Sequence, residues 1–322
     1  MNFDENNLKR GKISIGLPVF NGEEFIHKQL ERILDQTFTD FELIISDNAS
    51  TDLTNKICKE FETKDNRIRY YKQDQTIDSL LNYNFVLEKA ECEYFLWIAT
   101  DDILLPNFLE KNLEILINNK NIVCSASQVK YFGESRKYWK EKAENRISGF
   151  FIKKIVNRFQ NLKNYSTTGT FASKFRYYLK LRGHHHIFYG IYRTNQLKGI
   201  ISKIVLNKNK PRTIDLATML SVLEIGDFYV IDEILMYRYD GGESSQGFSS
   251  FKKAYKLNFI ESISFNYPFT KWCFKKFGYK SCLKNLDLFI IWNLEPIFFL
   301  TVSIIRKINS KGDRLQKISN KN

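Results

Sequence analysis

A few carboxylates in this 322-residue chain sit where chemistry is easiest to place. Asp101 and Asp102 are adjacent and follow the apolar run Tyr94–Ile98 (YFLWI). Asp47 follows Phe41–Ser46 (FELIIS), inside the polar stretch Asp47-Asn48-Ala49-Ser50-Thr51-Asp52. Adjacent carboxylates can bind Mg²⁺ or Mn²⁺, because such an ion takes one or two carboxylates together with phosphate oxygens. That is one way to neutralise a diphosphate without a glycine cradle, and the usual cradles are missing. No GxxxxGK[ST] occurs, and no GxGxxG follows the first apolar run, which argues against a P-loop NTPase or a dinucleotide oxidoreductase. Asp, Asn and Ser at these positions are also ordinary helix N-caps, and that reading stays open beside the ligand reading.

The elements that would position these residues alternate. Ile13–Val19 reads as a buried strand. Asn21 can cap a helix with Ile26, Leu30, Ile33 and Leu34 on one face. Phe41–Ser46 is a second strand, and Ser50 can cap a helix carrying Leu53, Ile57 and Phe61. Arg67–Lys72 is a short third strand, followed by a helix with Ile77, Leu80, Leu81 and Phe85. Tyr94–Ile98 is a fourth strand, Pro106 fits the first turn of a helix with Leu109, Leu113, Leu116 and Ile117, and Ile122–Ala126 is a fifth strand. Alternating β and α units imply an α/β fold with a mostly parallel sheet flanked by helices. Ligands in such sheets sit beyond the carboxyl ends of the strands, where Phe20-Asn21, Asp47–Asp52 and Thr100-Asp101-Asp102 would meet.

Three regions follow from the pattern: 1–127, 128–250 and 251–322. Residues 128–182 are basic and aromatic, with a candidate amphipathic helix over 150–163 that covers the sheet or lies on a membrane. His184-His185-His186 cannot all reach one metal from a regular element, though one of them could reach a phosphate or an acceptor. Leu216, Met219, Leu220 and Leu223 form a helix face that starts near Asp215, and Phe228–Tyr237 reads as a strand or strand pair. Leu286–Ile305 is long and apolar enough to span a bilayer, yet it holds Asp287, Asn293, Glu295 and Pro296 and is flanked by lysines and Arg306. A kinked helix at an anionic surface is the expectation.

The formal charge of +13 favours an anionic partner: nucleic acid, anionic membrane or phosphorylated substrate. The five cysteines are scattered, without CxxC, and read as free thiols. Met1–Lys12 lacks the apolar core of a signal peptide, so the cytoplasm is the expected compartment.

Residues 13–126 resemble the nucleotide-sugar-binding half of family-two glycosyltransferases with the GT-A fold. The matching stretches are ISIGLPVFNGEEFIHKQLERILDQTFTDFELIISDNASTDLT and NYNFVLEKAECEYFLWIATDDILLP. HHHIFYGIYRT and the run from Asp215 to Ser245 are similar to the family's acceptor half. The resemblance implies that Pro18, Phe20 and Asn21 hold the nucleobase and ribose. Asp47 would accept a hydrogen bond from the base, commonly uracil, with Asn48, Ser50 and Asp52 shaping its loop. Asn82 and Asn84 would contact the donor. Asp101 matches the metal-binding Asp of Asp-x-Asp, with Asp102 after it, and the first Asp of that element is Ala99 here. Asp215 matches the catalytic base, standing in Thr213-Ile214-Asp215 without an acidic neighbour. Arg238 and Gly241–Ser245 fall where a segment often closes over the donor.

The reading that follows is an inverting transferase. It uses Mg²⁺ or Mn²⁺, takes a UDP-sugar by preference, and glycosylates a lipid-linked, surface-polysaccharide or glycoprotein hydroxyl at the inner face of the cell membrane. A nucleotidyltransferase would carry a basic glycine-rich loop after the first strand, where PVFNGEEF stands. A non-catalytic binder of anionic membrane or nucleic acid is the alternative from another class, although no nucleic-acid motif is present.

Overall fold

The computed structural model describes residues 12–133, 167–180, 185–206, 214–239 and 266–294. The chain divides into two compact units, Met1–Lys208 with Ile214–Gln246, and Asn209–Thr213 with Gly247–Asn322.

The first unit is built on an eight-stranded sheet. Its strands are β1 (Ile13–Val19), β2 (Phe41–Asp47), β3 (Ile68–Lys72), β4 (Tyr94–Trp97), β5 (Ile103–Leu104), β6 (Ile122–Phe132), β7 (Ile191–Arg193) and β8 (Asp227–Tyr239). Their spatial order is β3-β2-β1-β4-β7-β6-β8-β5. The pairs β1–β2, β2–β3, β1–β4 and β6–β8 are parallel, while β7 runs antiparallel between β4 and β6, and β5 runs antiparallel to β8. The expected parallel direction of the first five long strands therefore holds. The sequence reading omits β5 and β7, because two- and three-residue strands carry no period. β6 runs past the 127/128 boundary and joins both regions in one sheet.

Helices α1 (Ile26–Leu34), α2 (Thr54–Lys64), α3 (Ser79–Glu88) and α4 (Phe108–Asn118) alternate with the early strands. Then come α5 (Phe171–Lys180), a 3₁₀ turn over His185–Tyr189, α6 (Thr194–Val205) and α7 (Ile214–Ile225). The central strand β1 is buried at every residue, as both-face coverage requires. Ile15, Leu17, Leu43, Ile45, Leu96, Leu30 and Leu109 belong to one core cluster. β7 begins just after Gly190, where a Cβ would stand 2.5 Å from the Ser125 carbonyl oxygen; only a residue without a side chain lets the two strands approach so closely.

Three expected helix starts shift. The helix after β1 begins at Ile26 behind Phe25, so Asn21 does not cap it. The next begins at Thr54 behind Leu53, so Ser50 is not its cap. In both cases the polar residues serve loop-to-loop bonds instead. Pro106 stands before Asn107, which precedes the helix starting at Phe108. On α3 the buried face is Asn82, Val86 and Leu87, with Leu81 exposed, and Asp78 caps it by accepting the Leu80 N–H at 2.9 Å.

In the second unit α8 (Tyr267–Leu283) is broken at Gly278, whose φ of 77° lies in the region that residues with a Cβ avoid. A further helix covers 286–294. Among the described residues no helix is long and apolar enough to cross a membrane. The amphipathic segment over 150–163, the loop Gly241–Ser245 and the remainder of Leu286–Ile305 lie outside the described residues.

Candidate active site

The carboxyl ends of β1, β2 and β4 carry the expected polar residues, and the loops after β1 and β2 are stitched together. The Asn21 N–H donates to Ser50 Oγ at 2.8 Å, and the Thr51 N–H donates back to Asn21 Oδ1 at 2.9 Å. The Gly22 N–H donates to Thr54 Oγ1 at 2.8 Å. The Glu23 N–H donates to Asp52 Oδ2 at 3.0 Å, and the Leu53 N–H donates to Glu23 Oε2 at 2.9 Å. Backbone donors that a loop would leave to water are thus satisfied by side chains from the neighbouring loop. Two residues adopt positive φ to allow this, Asn21 at 47° and Ala49 at 60°. Burial alone would raise the Asp52 carboxyl, but hydrogen bonds from Thr54 and the Glu23 amide outweigh it and hold the carboxyl below its ordinary value.

Asp47 closes β2 and is fully buried. Its Oδ1 accepts the Ser50 N–H at 2.7 Å, and its Oδ2 accepts the Tyr70 hydroxyl at 2.6 Å. Burial raises the Tyr70 hydroxyl, and its bond to Asp47 raises it further, so Tyr70 stays a donor. Asn48 grips the chain at Ile77, donating to its carbonyl at 2.9 Å and accepting its N–H at 2.8 Å. Pro18 is buried in β1, beyond the point where β4 pairing ends, and the Phe20 side chain beyond it is 47% exposed.

Asn82 is buried, and both of its polar atoms are engaged by Ser46. Its Oδ1 accepts the Ser46 hydroxyl at 2.6 Å, and its Nδ2 donates to the Ser46 carbonyl at 3.0 Å. It ties α3 to β2. Asn84, two positions on, has a buried Oδ1 with no hydrogen-bond partner.

Asp101 and Asp102 follow β4 in different surroundings. Asp101 is half-buried, and no side chain among the described residues hydrogen-bonds its carboxylate. Burial raises this carboxyl, opposed by its own backbone and by Arg238. Asp102 is buried and meets Arg238 from β8, whose Nε lies 3.1 Å from Oδ2 and donates to Oδ1 at 3.3 Å. Burial pushes the Asp102 carboxyl up to about 6; Arg238 opposes the rise and Asp101 adds to it. Arg238 therefore belongs to a strand, as the partner of Asp102.

The Arg238 guanidinium also sits 4.2 Å from the centre of the Tyr189 ring. Tyr83 on α3 lies near that tyrosine, and burial first, then Tyr189 and Asp102, raise the Tyr83 hydroxyl while Arg238 opposes this. Burial raises Tyr189; Arg238 opposes this, while Asp102 and Asp215 both add to it. Asp215 lies in the first turn of α7, where its Oδ1 accepts the Leu216 N–H at 2.9 Å. One tyrosine thus feels the acid at the start of α7 and the ion pair at the end of β4. The sequence does not single out Tyr70, Tyr83 or Tyr189. Their signal is the strand register and the 3₁₀ turn, which spacing does not reveal.

Among the described residues no three His, Cys, Asp or Glu side chains gather to hold a metal by themselves. A divalent ion that completes its shell with phosphate oxygens needs fewer. The Asp101 carboxylate, which no side chain among the described residues bonds, next to the buried Asp102, fits an ion of that kind.

The sheet and its flanking helices match solved GT-A glycosyltransferases. TarS 1–349 of S. aureus, in complex with UDP-GlcNAc, superposes with a TM-score of 0.54 at 18% identity, over 82% of this chain and 73% of that one. The mannosyltransferase PcManGT from Pyrobaculum calidifontis, in complex with GDP-Man and Mn²⁺, does so at 0.51 and 11% identity, over 95% of this chain and 80% of that one. By sequence, the uncharacterized glycosyltransferase RT0329 of Rickettsia typhi is 31% identical over 113 residues, 34% of each chain. Glycosyltransferase GlyG of Streptococcus pneumoniae serotype 4 is 30% identical over 115 residues, 33% of this chain and 38% of that one. The matched stretch thus spans about a third of these curated relatives. The domain pattern of glycosyl transferase family 2 matches residues 14–182, which leaves Asp215 and Arg238 beyond its end. That match takes in over half of the chain and every candidate residue from Pro18 to Asp102; the chain belongs to glycosyl transferase family 2.

Proposed function

We propose that the chain transfers a sugar from a nucleoside-diphosphate donor, a UDP-sugar by preference, to an acceptor hydroxyl, with inversion at the anomeric carbon. The observation that carries this reading is the Asp101 carboxylate, which no side chain among the described residues bonds, beside a buried, Arg238-bound Asp102 at the end of β4. The solved relatives bound to UDP-GlcNAc and to GDP-Man with Mn²⁺ support the donor class.

In this reading Asp47 accepts an N–H of the base, and Tyr70 and the Ser50 amide hold that carboxylate in place. Pro18, Phe20 and Asn21 flank the base and ribose, Asn48, Ser50 and Asp52 fix the loop, and Asn84 offers an acceptor toward the donor, with Asn82 bracing α3. Asp101 would hold Mg²⁺ or Mn²⁺. When bound, that ion stabilises negative charge on the departing diphosphate. Asp215 removes the proton of the acceptor hydroxyl as it attacks the face opposite the leaving group, so a single displacement inverts the centre. Arg238 keeps Asp102 ionised beside Asp101. The acceptor is a lipid-linked, surface-polysaccharide or glycoprotein hydroxyl, reached from the inner face of the cell membrane.

The test is a thermal-shift panel of nucleoside diphosphates and nucleotide sugars, with and without Mn²⁺, on the parent chain and on Asp101→Asn. A nucleotide at about a hundredfold over its Kd adds about 2.7 kcal/mol to the folded state. The expected result is a Mn²⁺-dependent shift, largest with uridine, that Asp101→Asn abolishes. Absence of any nucleotide shift overturns the reading and leaves a non-catalytic binder.

A further inference from the structure

Among the described residues, the helix over 286–294 meets α8 and the residue before it along one side. Phe289 and Trp292 are buried, Trp292 stacks on Phe269 at 5.4 Å, and Asn266 Nδ2 donates to the Trp292 carbonyl at 2.8 Å. Asn293 Nδ2 donates to Thr270 Oγ1 at 2.8 Å. These contacts fix which side of the helix faces away. That outer side is mostly aliphatic: Leu286, Ile290, Ile291 and Leu294, with Leu283 just before them, are between 43% and 56% exposed, and Asp287 is exposed among them. Tyr279, after the break at Gly278, is 73% exposed.

So many exposed aliphatic residues on one short element mark an interaction surface. The surrounding charge says what kind. Between residues 266 and 294 the chain carries five lysines, Lys271, Lys275, Lys276, Lys280 and Lys284, against one acid, Asp287. Lys271, Lys275, Lys280 and Lys284 are exposed. A second copy of the same face would bring lysines against lysines. Nucleic acid would engage the lysines and leave the aliphatic side chains in water. An anionic bilayer satisfies both, since acyl chains receive leucine and isoleucine while phosphate headgroups receive the lysines, with tyrosine at the boundary.

We propose that the outer face of 286–294, with Tyr279 and the lysines of α8, is a docking surface for an anionic lipid bilayer, on which the helix lies flat. The proposal extends the acceptor side of the proposed function but stands on its own observations.

The test is co-sedimentation of the full chain with phosphatidylglycerol–phosphatidylcholine vesicles and with phosphatidylcholine vesicles, at low and high salt. The expected result is binding that requires the anionic lipid and weakens with salt. Ile290→Asp with Leu294→Asp should lower partition by at least about tenfold. Each of Lys271→Gln, Lys275→Gln and Lys280→Gln should lower it about fivefold. The lysine variants alter exposed positions, so they report even where the aspartate pair disturbs folding. Equal binding to neutral vesicles, no binding, or binding that the variants leave unchanged overturns the proposal. So does concentration-dependent self-association in buffer that Ile290→Asp abolishes. The nucleotide thermal shift, run on the same samples, separates failure here from failure of the donor reading.

Discussion

Arg238 reaches Asp102 from 136 residues away, and the pair is the charged link between β8 and the end of β4. A carboxylate this buried is unfavourable alone. Removing one member of a buried pair costs about 3–5 kcal/mol, whereas replacing both with uncharged groups of similar volume is often neutral. Arg238→Met is therefore expected to lose about 3 kcal/mol or more in urea denaturation at neutral pH, and Arg238→Met with Asp102→Asn to regain most of it. Activity should not return in the double variant, because Asp101 then lacks the charged pair beside it. A single variant as stable as the parent would show that Asp102 is uncharged in the folded protein.

Asp215 can serve only as an acid in the first turn of α7 or act as the base, and the two roles separate experimentally. As the base, Asp215→Asn lowers kcat by about 100- to 10,000-fold and leaves the nucleotide thermal shift intact. As a first-turn acid alone, its loss is mild, about 0.3–1 kcal/mol of stability from the charge at the helix N-terminus. Steady-state transfer assays beside melting curves decide between them. Near-parental kcat would remove Asp215 from the proposed mechanism.

Tyr70 supports Asp47 through a 2.6 Å bond in a half-buried setting. Tyr70→Phe keeps the ring and deletes the donor, leaving Asp47 Oδ2 short of a partner at a cost of about 1–3 kcal/mol. The expected outcome is a lower melting midpoint and a smaller shift with uridine nucleotides than the parent shows. If the midpoint falls while the nucleotide shift keeps its size, Tyr70 is structural and Asp47 does not depend on it for ligand contact.

The ends of β1, β2 and β4 were legible because apolar runs of strand length close on Asn21, Asp47 and Asp101, and chain order alone puts such ends together in a parallel sheet. The roles of Asn21 and Ser50 were not. Both types favour N-caps, and the reciprocal loop bonds that claim them depend on parallel register between β1 and β2. Asn82 illustrates the same limit: only the packing of α3 on β2 commits its amide to Ser46. β7 escaped because three residues cannot display a period, and Arg238 read as part of a loop because its partner lies in a distant segment.

Gly190 tests whether the antiparallel strand β7 must approach β6 as closely as it does. An added Cβ would meet the Ser125 carbonyl oxygen at 2.5 Å, the Cys124 sulfur at 2.8 Å and the Ala126 Cβ at 3.1 Å. Backbone cannot rotate away as a long side chain can. Gly190→Ala is expected to destabilise by about 1–3 kcal/mol, the usual range for overpacking. Because Tyr189 precedes it, transfer should fall as well. Denaturant midpoints measure the first effect, and unchanged stability would mean that β7 moves without cost.

Asp65 gives a pH dependence with a defined sign. The Arg67 guanidinium, bonded to both carboxylate oxygens, lowers the Asp65 carboxyl; burial opposes this, and the Arg67 amide and charge add to the lowering. A carboxyl lowered by folding binds fewer protons in the native state than in the unfolded one. Its contribution is therefore complete above the unfolded pKa, near ~3.9, and is lost as pH falls through the lower folded value. Asp65→Asn should be less stable than the parent by about 1 kcal/mol at pH 7. That gap should narrow as pH drops below about 4, where the parent's carboxyl takes up a proton too. Paired urea curves at pH 7 and in the acid range measure it. A gap that widens in acid would mean the bond to Arg67 does not hold the carboxylate in its charged form.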